Sequence, residues 1–350
     1  MKISKIELFM VAVQGLIYLA SIILDLHSIA FIVGFIFGVW LITRGSEIAV
    51  DGLKSISIYL GLSEYIAGVI SSLASNLPEL ALSSIMIFEG LAQGSEALIE
   101  IAILSVIAAS GFNILLLGLL IILLSWRKGA IRIPYSAIAH ESDLIRMTIV
   151  VCLLIFVLGI IEGGKGFLPK EIGFFLILIY AAYMVFILRG EQEKLESSSL
   201  ELSRKKAVIL LVLGFISIFI GGEILTESAE FILHKFNLSL ITVAILLGSL
   251  GSIPEHGIAI IGAKKGLVKL GLANLLAGIS QCILIVLGFI ALIIPVPLDG
   301  YVMFQLVSVA ASLWMVKKTI LDDEKLTLDE GIFILILQIL LFIMLEELRF

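Results

Sequence analysis

The chain has 350 residues, 60% of them hydrophobic and 15% charged, and its mean hydropathy is +1.19. An ordinary soluble domain is about 45–50% apolar and about 25% charged, so the composition argues against a soluble enzyme, a disordered chain and a nucleic-acid binder. The 23 basic and 29 acidic residues give a formal net charge of −6, and the total carries no basic footprint for nucleic acid or anionic lipid.

A helix needs about 20 mostly apolar residues to cross a hydrocarbon core about 30 Å thick. On that measure the sequence predicts an all-α integral membrane protein of eleven spans. The first, 6–24, lacks a small-residue cleavage site, so no cleavable signal is expected. Then come 30–58, 65–88, 97–125, 143–161 and 171–189. The longest polar stretch runs from Arg189 to Lys206, and beyond it lie 207–234, 239–262, 267–294, 300–317 and 328–347. His27, His140 and His234 read as loop residues. Cys152 and Cys282 sit inside apolar runs, which argues against a disulfide framework and against reactive thiols. Of the basic residues near span ends, sixteen fall on the side of the N-terminus and four on the other, namely Lys165, Lys170, Lys235 and Arg349. That bias predicts a multi-pass cell-membrane protein with a cytoplasmic N-terminus, and the odd span count then puts the C-terminus outside.

Residues 38–83 align with 214–259 without a gap, with ten of 46 positions identical. The informative pairs are Gly38 with Gly214, Gly45 with Gly221, Glu47 with Glu223, Ser63 with Ser239, Pro78 with Pro254 and Glu79 with Glu255. Five predicted spans separate the copies, so they cross the membrane in opposite directions. The expected organisation is an extra N-terminal helix (1–29), a first five-helix repeat (30–189), a polar cytoplasmic linker (190–206) and a second, inverted five-helix repeat (207–350). Inverted repeats are the usual plan of secondary transporters, with ions held near the midplane where the repeats meet. Channels and membrane enzymes can contain repeats too.

Two runs carry the chemistry: Ser72-Leu-Ala-Ser-Asn-Leu-Pro-Glu79 and Gly248-Ser-Leu-Gly-Ser-Ile-Pro-Glu255. A charge at the bilayer centre costs about 3 kcal/mol or more, so each Glu is expected to face a partner or a water-filled cavity. The prolines are expected to free the carbonyls of Ala74 and Leu250. Ser72, Ser75, Asn76 and Glu79 share one helical face, as do Gly248, Gly251, Ser252 and Glu255. Such a site is all oxygen, which suits Ca2+ and suits thiophilic metals badly. Two glutamates neutralise one divalent ion, and when it leaves, at least one must take up a proton or meet another cation, so antiport follows from the charges. Asn113 and Gln281 lie mid-span in the fourth and ninth spans and form a matched pair of candidate ligands. His256 projects about 100° from Glu255 around the helix, as a buried neutral histidine or as a proton relay. Glu47, Asp51, Glu223 and Glu227 either line an access path or are solvated at the interface.

These stretches resemble the calcium/cation antiporter superfamily. The resemblance rests on Gly-Leu-Ser-Glu-Tyr-Ile-Ala-Gly (61–68), Ser-Asn-Leu-Pro-Glu-Leu (75–80), Gly-Phe-Asn-Ile-Leu-Leu (111–116) and Gly-Ser-Ile-Pro-Glu-His (251–256). It implies the two-by-five inverted core, no cofactor and no enzymatic activity. It also implies ion ligands at Glu79, Glu255, Ser75, Asn76, Gly251, Ser252, Asn113 and Gln281, with the backbone at Ser72 and Gly248. Against the sodium/calcium branch, Ala109 and Ala277 stand where serines occur, Gly251 where Thr occurs and Gln281 where an Asp often does. Asn76, Gly251, His256 and Gln281 look like the calcium/proton branch, whereas Pro78 and Pro254 look like the sodium branch. The expectation is Ca2+ exchange for protons, with Na+ as the alternative counter-ion and a channel or an intramembrane hydrolase as rival classes.

Overall fold

Lipid offers the backbone no hydrogen-bond partner, so a chain this apolar satisfies its amides within helices. The computed structural model describes residues 5–24, 26–59, 73, 76–126, 129–132, 139–190, 203–236, 238–264 and 268–348. In order these form α1 (Lys5–Ile23), α2 (His27–Tyr59), α3 (Leu77–Gln93), α4 (Glu96–Ser125), α5 (Ala139–Ile161), α6 (Lys170–Gly190), α7 (Arg204–Phe236) and α8 (Leu240–Lys264). A continuous helix follows, made of α9 (Val268–Gln281), a π-helical stretch (Cys282–Leu287) and α10 (Gly288–Ile293). The last two are α11 (Gly300–Asp323) and α12 (Leu328–Glu347). Among the described residues, seven helices are long and apolar enough to cross a membrane by length and composition alone. Shorter apolar stretches occupy Phe9–Ile23 of α1 and Leu240–Ser252 of α8.

Helix ends differ from the sequence expectation in an instructive way. His27 opens α2, His140 lies in the first turn of α5 and His234 in the last turn of α7, so none of the three is a loop residue. α11 continues to Asp323, past the expected end at 317, and takes Lys317 and Lys318 into the helix. Long basic side chains reach the interface from within a helix, so they mark the membrane edge without ending the element.

α2 and α7 make the most extensive helix–helix contact among the described elements. Glycines seven residues apart form the seam. A Cβ on Gly38 would lie 3.1 Å from the Gly221 carbonyl oxygen, one on Gly45 2.8 Å from that of Gly214, and one on Gly52 2.7 Å from that of Ala207. Without hydrophobic drive between helices in lipid, such close backbone approach is what holds them. The repeat offset maps Gly38 onto Gly214 and Gly45 onto Gly221, so the first two contacts are images of one another under a twofold axis.

Two short antiparallel ladders sit at opposite ends. β1 (Ala130–Arg132) pairs with β4 (Lys325–Thr327), and β2 (Phe167–Leu168) pairs with β3 (Val296–Pro297). Each joins a loop of the first half to a loop of the second. The offset between halves exchanges one ladder for the other, since β1 and β3 follow matching helices, as do β2 and β4. At the centre stands α4, buried along most of its length and packed against α3, α8, α9, α11 and α12.

Candidate functional site

α3 opens on Asn76 as N-cap, and Pro78 lies in its first turn. Proline is tolerated there because its missing N–H would have had no intrahelical partner. A new helix thus begins at Leu77, inside the expected span 65–88. Glu79 then sits in a first turn, where the helix dipole favours negative charge. The Asn76 side chain makes no capping bond and is spent on the site. In the second half α8 runs unbroken through Pro254. The side chains of Pro254 and Glu255 lie outside the described residues, as do Ser72, Ala74 and Ser75 entirely.

Two glycines let α8 into the centre. A Cβ on Gly248 would come 2.5 Å from the Ser105 carbonyl oxygen and 2.9 Å from the Ala109 nitrogen of α4. One on Gly251 would come 3.1 Å from the carboxyl carbon of Glu79. The absent side chain at Gly251 thus makes room for the carboxylate of the other repeat.

Glu79 is 5% exposed. Its Oε1 accepts a hydrogen bond from Ser252 Oγ at 3.2 Å, while its Oε2 is buried without a partner. Beside it runs a polar chain. Asn76 Nδ2 donates to Gln281 Oε1 at 2.5 Å, and Gln281 Nε2 donates to Tyr180 OH at 2.8 Å. Cys282 Sγ donates to Asn76 Oδ1 at 3.2 Å and accepts a longer contact from Asn113 Nδ2 at 3.8 Å. Asn113 Oδ1 and Ser280 Oγ are buried and unpartnered. Buried polar atoms of native proteins are almost always satisfied, so the orphaned oxygens of Glu79 and Asn113 suit a cation. Among the described residues no three His, Cys, Asp or Glu side chains come together. A cation here is held by carboxylate, amide and hydroxyl oxygens, the donor set of a hard ion.

His256 is fully buried. Its Nδ1 lies 2.8 Å from Asn274 Oδ1, and its Nε2 has no partner. An amide oxygen only accepts, so in this arrangement Nδ1 donates to it and Nε2 is left without a partner. A Cβ on Gly278 would lie 3.1 Å from that Nε2 and 3.4 Å from Asn113 Nδ2, so His256 and Asn113 flank the same bare backbone.

The structure thus brings together Glu79, Asn76, Gly251, Ser252, Asn113, Gln281 and His256. Tyr180, Cys282 and Asn274 were missed in the sequence. A buried tyrosine or asparagine needs a polar partner, and that was the available signal for Tyr180 and Asn274. Cys282 is a free, buried thiol that bridges two site amides. The outlying acids split. Glu47 pairs with Arg44, Glu227 accepts a hydrogen bond from Tyr18 OH at 2.8 Å, and Asp51 and Glu223 are exposed.

The family model of the sodium/calcium exchanger protein matches residues 30–189 and 206–346. Inner membrane protein YrbG of Escherichia coli (strain K12) is 24% identical over 279 residues, covering 75% of this chain and 80% of that one. An uncharacterized membrane protein of Methanocaldococcus jannaschii is 24% identical over 249 residues, covering 69% and 75%. The crystal structure of the H+/Ca2+ exchanger CAX superposes with a TM-score of 0.77 at 16% identity, covering 98% of this chain and 91% of that one. The sodium-calcium exchanger NCX_Mj, soaked with Na+ and Sr2+, gives 0.63 at 20% identity, covering 91% and 99%. At these identities the structural likeness is one of fold.

Proposed function

Because the chain belongs to the sodium/calcium exchanger protein family, and is therefore a membrane cation exchanger and not an enzyme, we propose that it exchanges Ca2+ for protons by alternating access, with the ion bound between Glu79 and Glu255. The observation that carries this reading is the Glu79 carboxylate, buried at the junction of the two halves with one oxygen unpaired and the other held by Ser252 of the opposite half. A buried carboxylate without a compensating charge is costly. Ca2+ supplies that charge on the way across, and something else must supply it on the way back.

Protons do so on the carboxylates themselves. Sodium needs several additional oxygens, and Ala109, Ala277 and Gly251 offer no side-chain oxygen. The Gln281 amide is already engaged at both ends, with Asn76 and Tyr180. The unpartnered Nε2 of His256 supports a second proton-accepting group one residue from Glu255. Na+/Ca2+ exchange is the second reading, favoured by Pro78 and Pro254. The loop charges further assign the N-terminus to the cytoplasm and the C-terminus to the outside.

Ca2+ flux in proteoliposomes tests the counter-ion, with pH and Na+ gradients imposed separately. The expected result is Ca2+ uptake driven by an outward-directed proton gradient without Na+. Uptake should decline at acid pH on the Ca2+ side, where protons compete for the carboxylates. Uptake that needs Na+ and ignores the proton gradient transfers the assignment to sodium and leaves the Ca2+ site standing.

A further inference from the structure

Among the described elements α1 has no counterpart in the other half of the chain, so whatever it builds exists on one side only. Between α1, α2 and α7 it borders an open-sided cavity of about 300 Å3, lined by polar Tyr18, Ser21, Glu227 and Ser228 and by apolar groups that include Phe31 and Phe231. At about 30 Å3 per water molecule, that space would hold on the order of ten. Among the described residues one carboxylate lines it, with Tyr18 OH donating to Glu227 Oε2 at 2.8 Å, and Glu223 is a further charged neighbour of Tyr18. Among the described residues no basic side chain lines the cavity. Its aromatic wall is ordered: Phe31 and Phe231 stack with ring centroids 4.7 Å apart, and Phe236 stands 6.2 Å from Phe31.

A carboxylate and aromatic faces around one space make a recognition set for an organic ammonium ion. The ring quadrupoles attract the cation, the apolar walls cover its carbon substituents, and the carboxylate balances its charge. Among the described residues a bare metal ion would find one carboxylate and three hydroxyls there, and little use for phenyl rings. Ser21 and Ser228 donate to the Ile17 and Ile224 carbonyls of their own helices, so their hydroxyl lone pairs remain to line the space. We propose that this cavity binds a small hydrophobic ammonium ion, with Glu227 as its counter-charge, Phe31 and Phe231 as its apolar wall and Tyr18 as the hydrogen-bond donor that fixes the carboxylate. A ligand seated there ties α1 to α7 and so stabilises the assembled helices.

The test uses the purified full chain in detergent and reads thermal stability against benzyltrimethylammonium chloride, with sodium chloride at equal ionic strength as the reference. It needs no transport, so its outcome is separate from that of the exchange assays. The expected result is a saturable rise in melting temperature with the ammonium salt only. Glu227→Gln should raise the half-saturation concentration several-fold or more, as loss of the cavity's counter-charge implies. Phe31→Leu, which keeps an apolar wall and removes a ring face, should raise it several-fold. An equal rise with sodium chloride overturns the proposal in favour of a simple cation effect. So does a rise in Glu227→Gln matching that of the parent, or no rise in the parent at all.

Discussion

At the scale of single residues, the site is decided by charge and by the space left for it. At an effective dielectric of about 20, a unit charge about 4 Å from another is worth about 4 kcal/mol, or about a thousandfold in binding. Glu79→Gln and Glu255→Gln are therefore each expected to abolish Ca2+ exchange while expression stays near normal, read by flux assays beside quantitation in the membrane. Asn113→Ala and Gln281→Ala should cost less, because a neutral ligand contributes less than a charge. Parent-like flux in either Gln variant would remove the paired-carboxylate site. Gly251→Ala brings a methyl group to 3.1 Å from the Glu79 carboxyl carbon, so it should reduce Ca2+ affinity several-fold with little loss of thermal stability. Residues of this kind were legible in advance because a carboxylate in an apolar run is costly wherever it points. Tyr180 and Cys282 were not. Each sits in an apolar run where its type is common, and only the approach of Gln281 to Tyr180 and of Asn76 to Cys282 gives it a polar task.

At the scale of elements, proline shows how one sequence pattern supports two structures. Pro78 and Pro254 occupy equivalent positions of the repeat, yet the first opens α3 and the second lies within α8. Proline is compatible with a first turn and with a bent interior, and the residues around it do not choose. Core helix boundaries such as 97–125 and 328–347 were readable to a residue or so because abrupt polar turns bound them. The short ladders were not, since their pairing partners lie in the other half of the chain. The glycine seam of α2 and α7 was visible as a repeat of glycines, though not as a contact between the copies. Gly45→Val should be poorly tolerated there. Its Cβ alone would lie 2.8 Å from the Gly214 carbonyl oxygen and 2.9 Å from Ser217 Cβ. The expected loss is about 1–3 kcal/mol or more, measured as a lower melting temperature or as aggregation on size exclusion. Unchanged stability would mean that the two helices separate freely.

At the scale of the whole molecule, the orientation remains to be tested directly. A reporter fused after Phe350 is expected to be active only in its extracytoplasmic form. Cytoplasmic activity at that point would remove one span and with it the opposite sense of the two halves. The ladders carry a further consequence, one of timing. Ala130 pairs with Thr327, and Leu168 with Val296, so neither clasp can close until the ribosome has made most of the chain. At roughly 5–20 residues per second, β1 waits on the order of ten to forty seconds for its partner to be synthesised. Through that interval the early helices lie in the bilayer with their central faces uncovered, and a helper that shields polar groups within lipid would find its client during those seconds.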